Sequence, residues 1–155
     1  MVSRRKGRIL AFQALYSWDV HYTQTGETSI PDGLLDFSWN FKADDAPDSS
    51  DEGMVFSRLL VTGTVENIAR IDSMIQTHLK NWDLKRLNRV DLALLRMSVY
   101  TLLFQTDIAP TIVIDEAIGI SKEFGADDSY RFVNGVLDGI LKTIASCPPV
   151  ERNGC

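Results

Sequence analysis

The sequence predicts an all-α fold, a single-domain compact bundle of about six to seven helices. Three observations carry that expectation. Apolar residues recur at three- and four-residue spacing almost throughout, and no segment alternates with the period of two that a half-buried strand requires. Capping residues, glycines and prolines fall where the helical pattern starts and stops. The length, 155 residues, suits one domain with one ordinary hydrophobic core.

The first helix is expected from about Arg4 to His21, with Ala11, Ala14, Leu15 and Trp18 as its buried stripe. From Thr23 to Gly53 the pattern fails. Gly26, Pro31, Gly33 and Pro47, together with an acidic run, mark a long connection interrupted by one short helix over Leu34–Phe41. Connections of that length are uncommon unless functional or mobile. Helical spacing resumes near Met54 and continues to about Leu79 through Phe56, Leu59, Leu60, Ile68, Ile71 and Ile75, with Gly63 as the place where it splits.

Asn88 and Asp91 form a capping pair for a helix over Arg89–Gln105. Leu92, Leu95, Val99 and Leu102 share one face of it, while Leu94, Met97 and Leu103 occupy others, so this is the central buried helix. Pro110 opens the next, with Ile114, Ala117, Ile118 and Ser121 as its stripe and Gly125 as its stop. The last helix buries Val133, Leu137, Ile140 and Ile144 and ends at Pro148-Pro149. The domain therefore covers 1–147, with a long acidic connection at about 23–53 and a short tail at 148–155.

Composition is that of a soluble globular protein, 45% hydrophobic and 24% charged. No apolar stretch approaches the roughly 20 residues of a membrane span, and the N-terminus lacks a signal-peptide pattern. Cys147 and Cys155 suit neither a disulfide framework nor a zinc site, so a reducing cytoplasm is expected. The net charge of −5 speaks against nucleic acid only on average, because the first eight residues hold four basic side chains and no acid.

Two places carry more than packing needs. On the first helix Arg5, Arg8, Phe12 and Tyr16 form one column about 16 Å long. Arginines for phosphates and aromatic faces for bases suit single-stranded RNA, although Phe12 also fits the core. At the start of the last helix, Asp128 or Ser129 serves as cap and Arg131, Phe132 and Asn134 fill the first turn. A helix start with a cation, an aromatic ring and free backbone N–H groups suits a phosphate and a base; a well-capped amphipathic helix is the plainer alternative. Further along, Phe132, Gly135 and Gly139 share a face, which points to close approach by a helix or a ligand.

Arg96, inside an apolar helix, calls for a buried ion pair, with Glu116 or Asp115 as partner. His21 and His78 stand alone, so no metal is expected, nor any cofactor. No serine has a nucleophile's context, so there is no candidate catalytic residue.

Several blocks resemble the NusB family of bacterial transcription antitermination factors. They are Arg5-Lys6-Gly7-Arg8-Ile9-Leu10-Ala11-Phe12-Gln13-Ala14-Leu15-Tyr16, Leu94-Leu95-Arg96-Met97-Ser98-Val99-Tyr100, Val113-Ile114-Asp115-Glu116-Ala117, Phe124-Gly125-Ala126-Asp127-Asp128-Ser129 and Phe132-Val133-Asn134-Gly135-Val136-Leu137-Asp138. They stand in the family's order and span nearly the whole chain except Thr23–Gly53. The resemblance implies a small helical protein that binds boxA-type single-stranded nascent RNA. It would act with NusE, a small-subunit ribosomal protein, and with other Nus factors on RNA polymerase, supporting processive transcription of ribosomal RNA operons.

Carried to matching positions, the resemblance nominates Arg4, Arg5, Lys6, Arg8, Tyr16, Asp128, Arg131 and Phe132 as RNA-binding residues. Asp128 would accept hydrogen bonds from a base edge and Phe132 would stack. Two positions depart from the family's habit: Asp115, where Asn is common, and Thr101, where an acid is common. Neither a membrane nor catalysis is implied, and a homodimer is left open. Two other readings stand beside this one. The first is an adaptor between proteins without RNA specificity. The second is a stand-alone relative of the helical RNA-binding domain of ribosomal RNA methyltransferases, expected to lack catalysis because no methyl-donor domain is present.

Overall fold

A computed structural model describes residues 1–147, which hold six α-helices, two 3₁₀ turns and no strand. The helical expectation therefore holds across the described residues. The helices divide into two compact units, Met1–Glu66 and a second that starts at Asn67.

In the first unit, α1 (Arg4–Thr25) starts at Ser3, whose Oγ accepts the Lys6 N–H at 3.0 Å. It runs a turn past His21 and stops at Gly26, which takes the left-handed conformation (φ 72°) and donates its N–H to the Tyr22 carbonyl. Leu10, Ala11, Ala14, Leu15 and Trp18 are buried as the spacing predicts. Phe12 is buried too, at 2% exposure, so the column from Arg5 to Tyr16 is not a continuous exposed surface.

The connection holds a single 3₁₀ turn, Leu34–Asp36, in place of the helix predicted over Leu34–Phe41. Phe37 stops it by turning left-handed (φ 56°) to bury its ring completely. The second helix, α2 (Glu52–Glu66), keeps Gly63 buried within it. The break falls at Asn67 rather than Gly63, and Leu59, predicted as core, is half exposed.

In the second unit α3 (Ile68–Thr77), α4 (Arg89–Phe104), α5 (Pro110–Phe124) and α6 (Ser129–Ala145) follow in order. Every residue of α4 from Asp91 to Leu102 is buried, as a helix apolar on all sides should be. Its cap is only half as predicted. Asn88 accepts the Val90 N–H at 2.8 Å, whereas the Asp91 carboxyl is buried, and burial raises its pKa against the opposing influence of Ser129.

The buried Arg96 makes a bidentate pair with Asp72 of α3, Nε to Oδ1 at 2.8 Å and a terminal nitrogen to Oδ2 at 2.9 Å. The apolar spacing of α3 gives no hint of that carboxylate. On α5 the buried set is Val113, Ala117, Ile120 and Ser121, and Ile114 and Ile118 are only half-buried. Two adjoining columns are apolar there, so periodicity alone does not choose between them.

On α6 the predicted Val133, Leu137, Ile140 and Ile144 are all buried. A Cβ on Gly139 would lie 3.2 Å from His78 Cδ2, so this glycine is a helix-packing contact; Gly135 faces open space. Cys147 is buried. Cys155, the Pro148-Pro149 stop and the tail lie outside the described residues.

Candidate nucleic-acid interface

The basic end of α1 is a fixture. The Asp51 carboxylate, just ahead of α2, accepts the Val2 N–H at 3.1 and 3.2 Å and the Gly53 N–H at 2.9 Å. The N-terminal ammonium stands 3.9 Å from the same group. Desolvation pushes the Asp51 carboxyl up. The backbone N–H groups of Val2, Gly53 and Met54 and the nearby ammonium outweigh it and hold the group below its ordinary value.

Gly53 makes the approach possible, because a Cβ there would sit 2.3 Å from the Val2 carbonyl oxygen. Gly7 faces the same seam, where a Cβ would lie 3.0 Å from the Gly53 oxygen and 3.1 Å from the Phe56 ring. Between them the buried Ser57 hydroxyl lies 2.7 Å from the Gly7 carbonyl and 3.0 Å from that of Gly53.

On that base the cations spread in two directions. The Arg4 guanidinium lies 4.4 Å, and that of Arg8 5.4 Å, from the centre of the Phe56 ring, both within cation–π reach. Lys6 turns to the connection instead, donating to Asn40 Oδ1 at 3.0 Å and standing 5.7 Å from the Phe41 ring. Arg5 is exposed, and Tyr16 presents its ring further along α1 at 43% exposure.

The corner between α5 and α6 holds the other nominated residues. Gly125 ends α5, giving its N–H to the Ser121 carbonyl at 2.8 Å, where a Cβ would meet that oxygen at 2.7 Å. Asp128 takes the N-cap position of α6, but its side chain caps nothing, which corrects one capping expectation. Ser129 faces Asp91 of α4. The Asp128 carboxylate is left exposed, 4.0 Å from Arg131 Nε.

Arg131 donates to the Tyr130 hydroxyl at 3.1 Å. That bond raises its already high pKa, so it is cationic at any working pH. Lys122, in the last turn of α5, holds its ammonium 4.8 Å from the Tyr130 ring. Phe132 is 37% exposed on the outer face of α6. The corner thus offers two cations around one ring, a carboxylate and a second ring, the groups that bind phosphate, base edge and base face.

Phe56, Asp51, Tyr130 and Lys122 belong to these clusters and were not among the nominated residues. The spacing places Phe56 in the core, and it is indeed buried; the two arginines over its ring are a tertiary feature. Tyr130 had a signal, standing between the cap and Arg131. Arg4, Arg5, Lys6, Arg8 and Tyr16 lie in the first unit, and Asp128, Arg131 and Phe132 in the second. No cluster of three or more His, Cys, Asp or Glu side chains among the described residues could hold a metal ion.

Residues 5–142 match the model of the NusB family. The chain is 53% identical over 139 residues to the transcription antitermination protein NusB of Treponema denticola, covering 90% of this chain and 96% of that protein. It is 41% identical over 140 residues to the protein of that name from Borreliella burgdorferi, with 90% and 94% covered. Among solved structures it is similar to T. maritima NusB, with a TM-score of 0.73, 33% identity, and 99% and 98% of the two chains covered. It is also similar to a chain in a crystal structure of antitermination factors NusB and NusE with double-stranded RNA (TM-score 0.73, 29% identity, 90% and 96% covered).

Proposed function

The chain belongs to the NusB family, and from that premise we propose that it is a non-enzymatic RNA-binding antitermination factor that recognises boxA-type single-stranded nascent RNA together with NusE. In this role it joins other Nus factors on RNA polymerase in the cytoplasm and supports processive transcription of ribosomal RNA operons. The related complex of NusB, NusE and RNA supports both partners. No described helix is long and apolar enough to cross a membrane, so nothing in them calls for a lipid partner.

The observation that carries the reading is the pinned basic arm. Arg4 and Arg8 lie over Phe56, and the residue ahead of them is bound at both carboxylate oxygens of Asp51. Arg4, Arg5, Lys6 and Arg8 supply phosphate contacts that carry no sequence information. Tyr16, Asp128 and Phe132 supply base preference. With four to five such contacts on a single strand, log K falls against log salt with a slope of roughly −3 to −3.5; a slope near zero would refute the electrostatic part.

The test is fluorescence anisotropy of a boxA-like RNA against a scrambled RNA of equal composition, with and without NusE, on wild type and Phe132→Ala. The reading requires preference for boxA that strengthens with NusE and weakens in the variant. Equal weak binding to both RNAs, indifferent to NusE and to the mutation, would replace it with an adaptor between proteins.

A further inference from the structure

The long connection after α1 is unexplained by the arm and the α5–α6 corner, yet part of it is firmly built. Phe37 is fully buried in a left-handed conformation that is costly for an aromatic residue. Its ring meets that of Trp39 at 5.7 Å between centres. Trp39 in turn donates its indole N–H to the Leu34 carbonyl at 3.2 Å, while 46% of the residue stays exposed. A large ring held at one end and bare on its surface is what a stacking platform needs.

The next two residues join this platform to the basic arm. Asn40 accepts from Lys6 at 3.0 Å and donates to Gln13 of α1 at 3.2 Å. Phe41 is half-buried with its ring 5.7 Å from the same lysine ammonium. Lys42, exposed, follows. From 37 to 42 the segment therefore alternates rings with hydroxyl, amide and ammonium groups and contains no acid. The carboxylate just before it, Asp36, is occupied by the Ser38 N–H and hydroxyl at 2.9 and 2.8 Å; Asp44 and Asp45 come only after Lys42.

We propose that Trp39, with Asn40 and Phe41 beside Lys6, is a base-stacking seat that extends the RNA path of the α1 arm by a nucleotide. The proposal rests on the RNA-binding reading above and adds to it a determinant in the connection. Lys6 holds the phosphate and the indole face takes the neighbouring base, while Asn40 ties Lys6 to Gln13 of α1. Stacking of this kind tolerates any base, so the seat adds affinity rather than boxA preference.

The test uses the chain's three tryptophans, of which Trp18 is fully buried and Trp39 and Trp82 are exposed. In Trp82→Phe, boxA-like and scrambled single-stranded RNAs should both quench the emission, and adding Trp39→Phe should abolish the quenching. By anisotropy, Trp39→Ala should weaken both RNAs by about fivefold or more, the lower end of what one stacked base contributes. Trp39→Phe should keep most of the affinity, Phe41→Leu should lose part of it, and Trp82→Ala should lose none. Tight binding by wild type, with Trp39→Ala unchanged and no quenching, would overturn the seat and leave the RNA-binding reading standing. Failure of wild type to bind either RNA would overturn both. Loss of NusE binding in Trp39→Ala with RNA binding intact would give the surface to a protein instead.

Discussion

Gly135 and Gly139 lie one turn apart on α6 and offer a controlled comparison, because Gly→Ala at each adds the same methyl group to the same helix. In a helix interior alanine is favoured over glycine by roughly 1 kcal/mol. At Gly135 no atom lies within 4 Å of the new Cβ, so the whole of that gain should appear. At Gly139 the methyl meets His78 Cδ2 at 3.2 Å. The imidazole has little room to retreat, since Nε2 is 2.8 Å from the Thr143 hydroxyl and Nδ1 is 2.9 Å from the Met74 carbonyl. Crowding of a packed contact costs about 1–3 kcal/mol, which cancels or reverses the helical gain. Urea unfolding should therefore show Gly135→Ala more stable than wild type by about 1 kcal/mol, and Gly139→Ala no more stable than wild type. Equal stabilisation in both, or destabilisation by Gly135→Ala, would refute the reasoning.

Three further outcomes follow from the same geometry. Asp72→Ala removes the bidentate partner of the buried Arg96 and should cost about 3 kcal/mol, the low end for breaking a buried pair, because Asp72 keeps some solvent; a loss no larger than that of a surface pair, under about 1 kcal/mol, would show that another carboxylate carries the charge. The folded-state pKa of Asp51 is depressed, so its anchoring of Val2 is fully present above the ordinary carboxylate pKa and is lost as pH falls through the folded value. The Val2 amide resonance should thus be constant at neutral pH and move only below about pH 4, and an unchanged transition in Asp51→Asn would exclude that carboxyl as its cause. Phe56→Leu keeps an apolar side chain in the seam but removes the ring under Arg4 and Arg8; RNA affinity should fall by a factor corresponding to about 0.5–1 kcal/mol, and wild-type affinity in a folded Phe56→Leu protein would deny the ring any part in placing the cations.

What the chain reveals by itself depends on how local the cause is. The stripe of α1, the all-round burial of α4 and the buried face of α6 follow from spacing alone, and each was legible. The break between α2 and α3 was not. Gly63 looks like the weaker helix residue, but buried inside α2 its flexibility is never exercised, and the chain turns at Asn67 instead. The 3₁₀ turn at Leu34–Asp36 ends because Phe37 trades backbone comfort for burial, a tertiary gain that no local propensity records. Arg96 announces that it needs a carboxylate, yet only packing says that Asp72 of α3 supplies it. At the candidate site the cations of the N-terminus were legible as a charge run. Their supports were not, because Asp51, Gly53, Phe56 and Ser57 are more than forty residues away in sequence.

Those supports bear on how an acidic chain can hold RNA. A net charge of −5 would repel a polyanion if it acted from everywhere, but at physiological salt exposed charges beyond about 8 Å are largely screened. What matters is the local field and whether the cations in it are already committed. A carboxylate partner would fix an arginine by neutralising it, and a phosphate would then have to displace it. An aromatic ring fixes a guanidinium or an ammonium through its quadrupole and brings no counter-charge. The same device occurs in both units: Phe56 beneath Arg4 and Arg8, and Tyr130 beneath Lys122. Asp51 is bound to backbone N–H groups and the terminal ammonium, so it orders the start of the arm. Because the rings hold these cations in place beforehand, less ordering would remain to be done on binding RNA under the function proposed above.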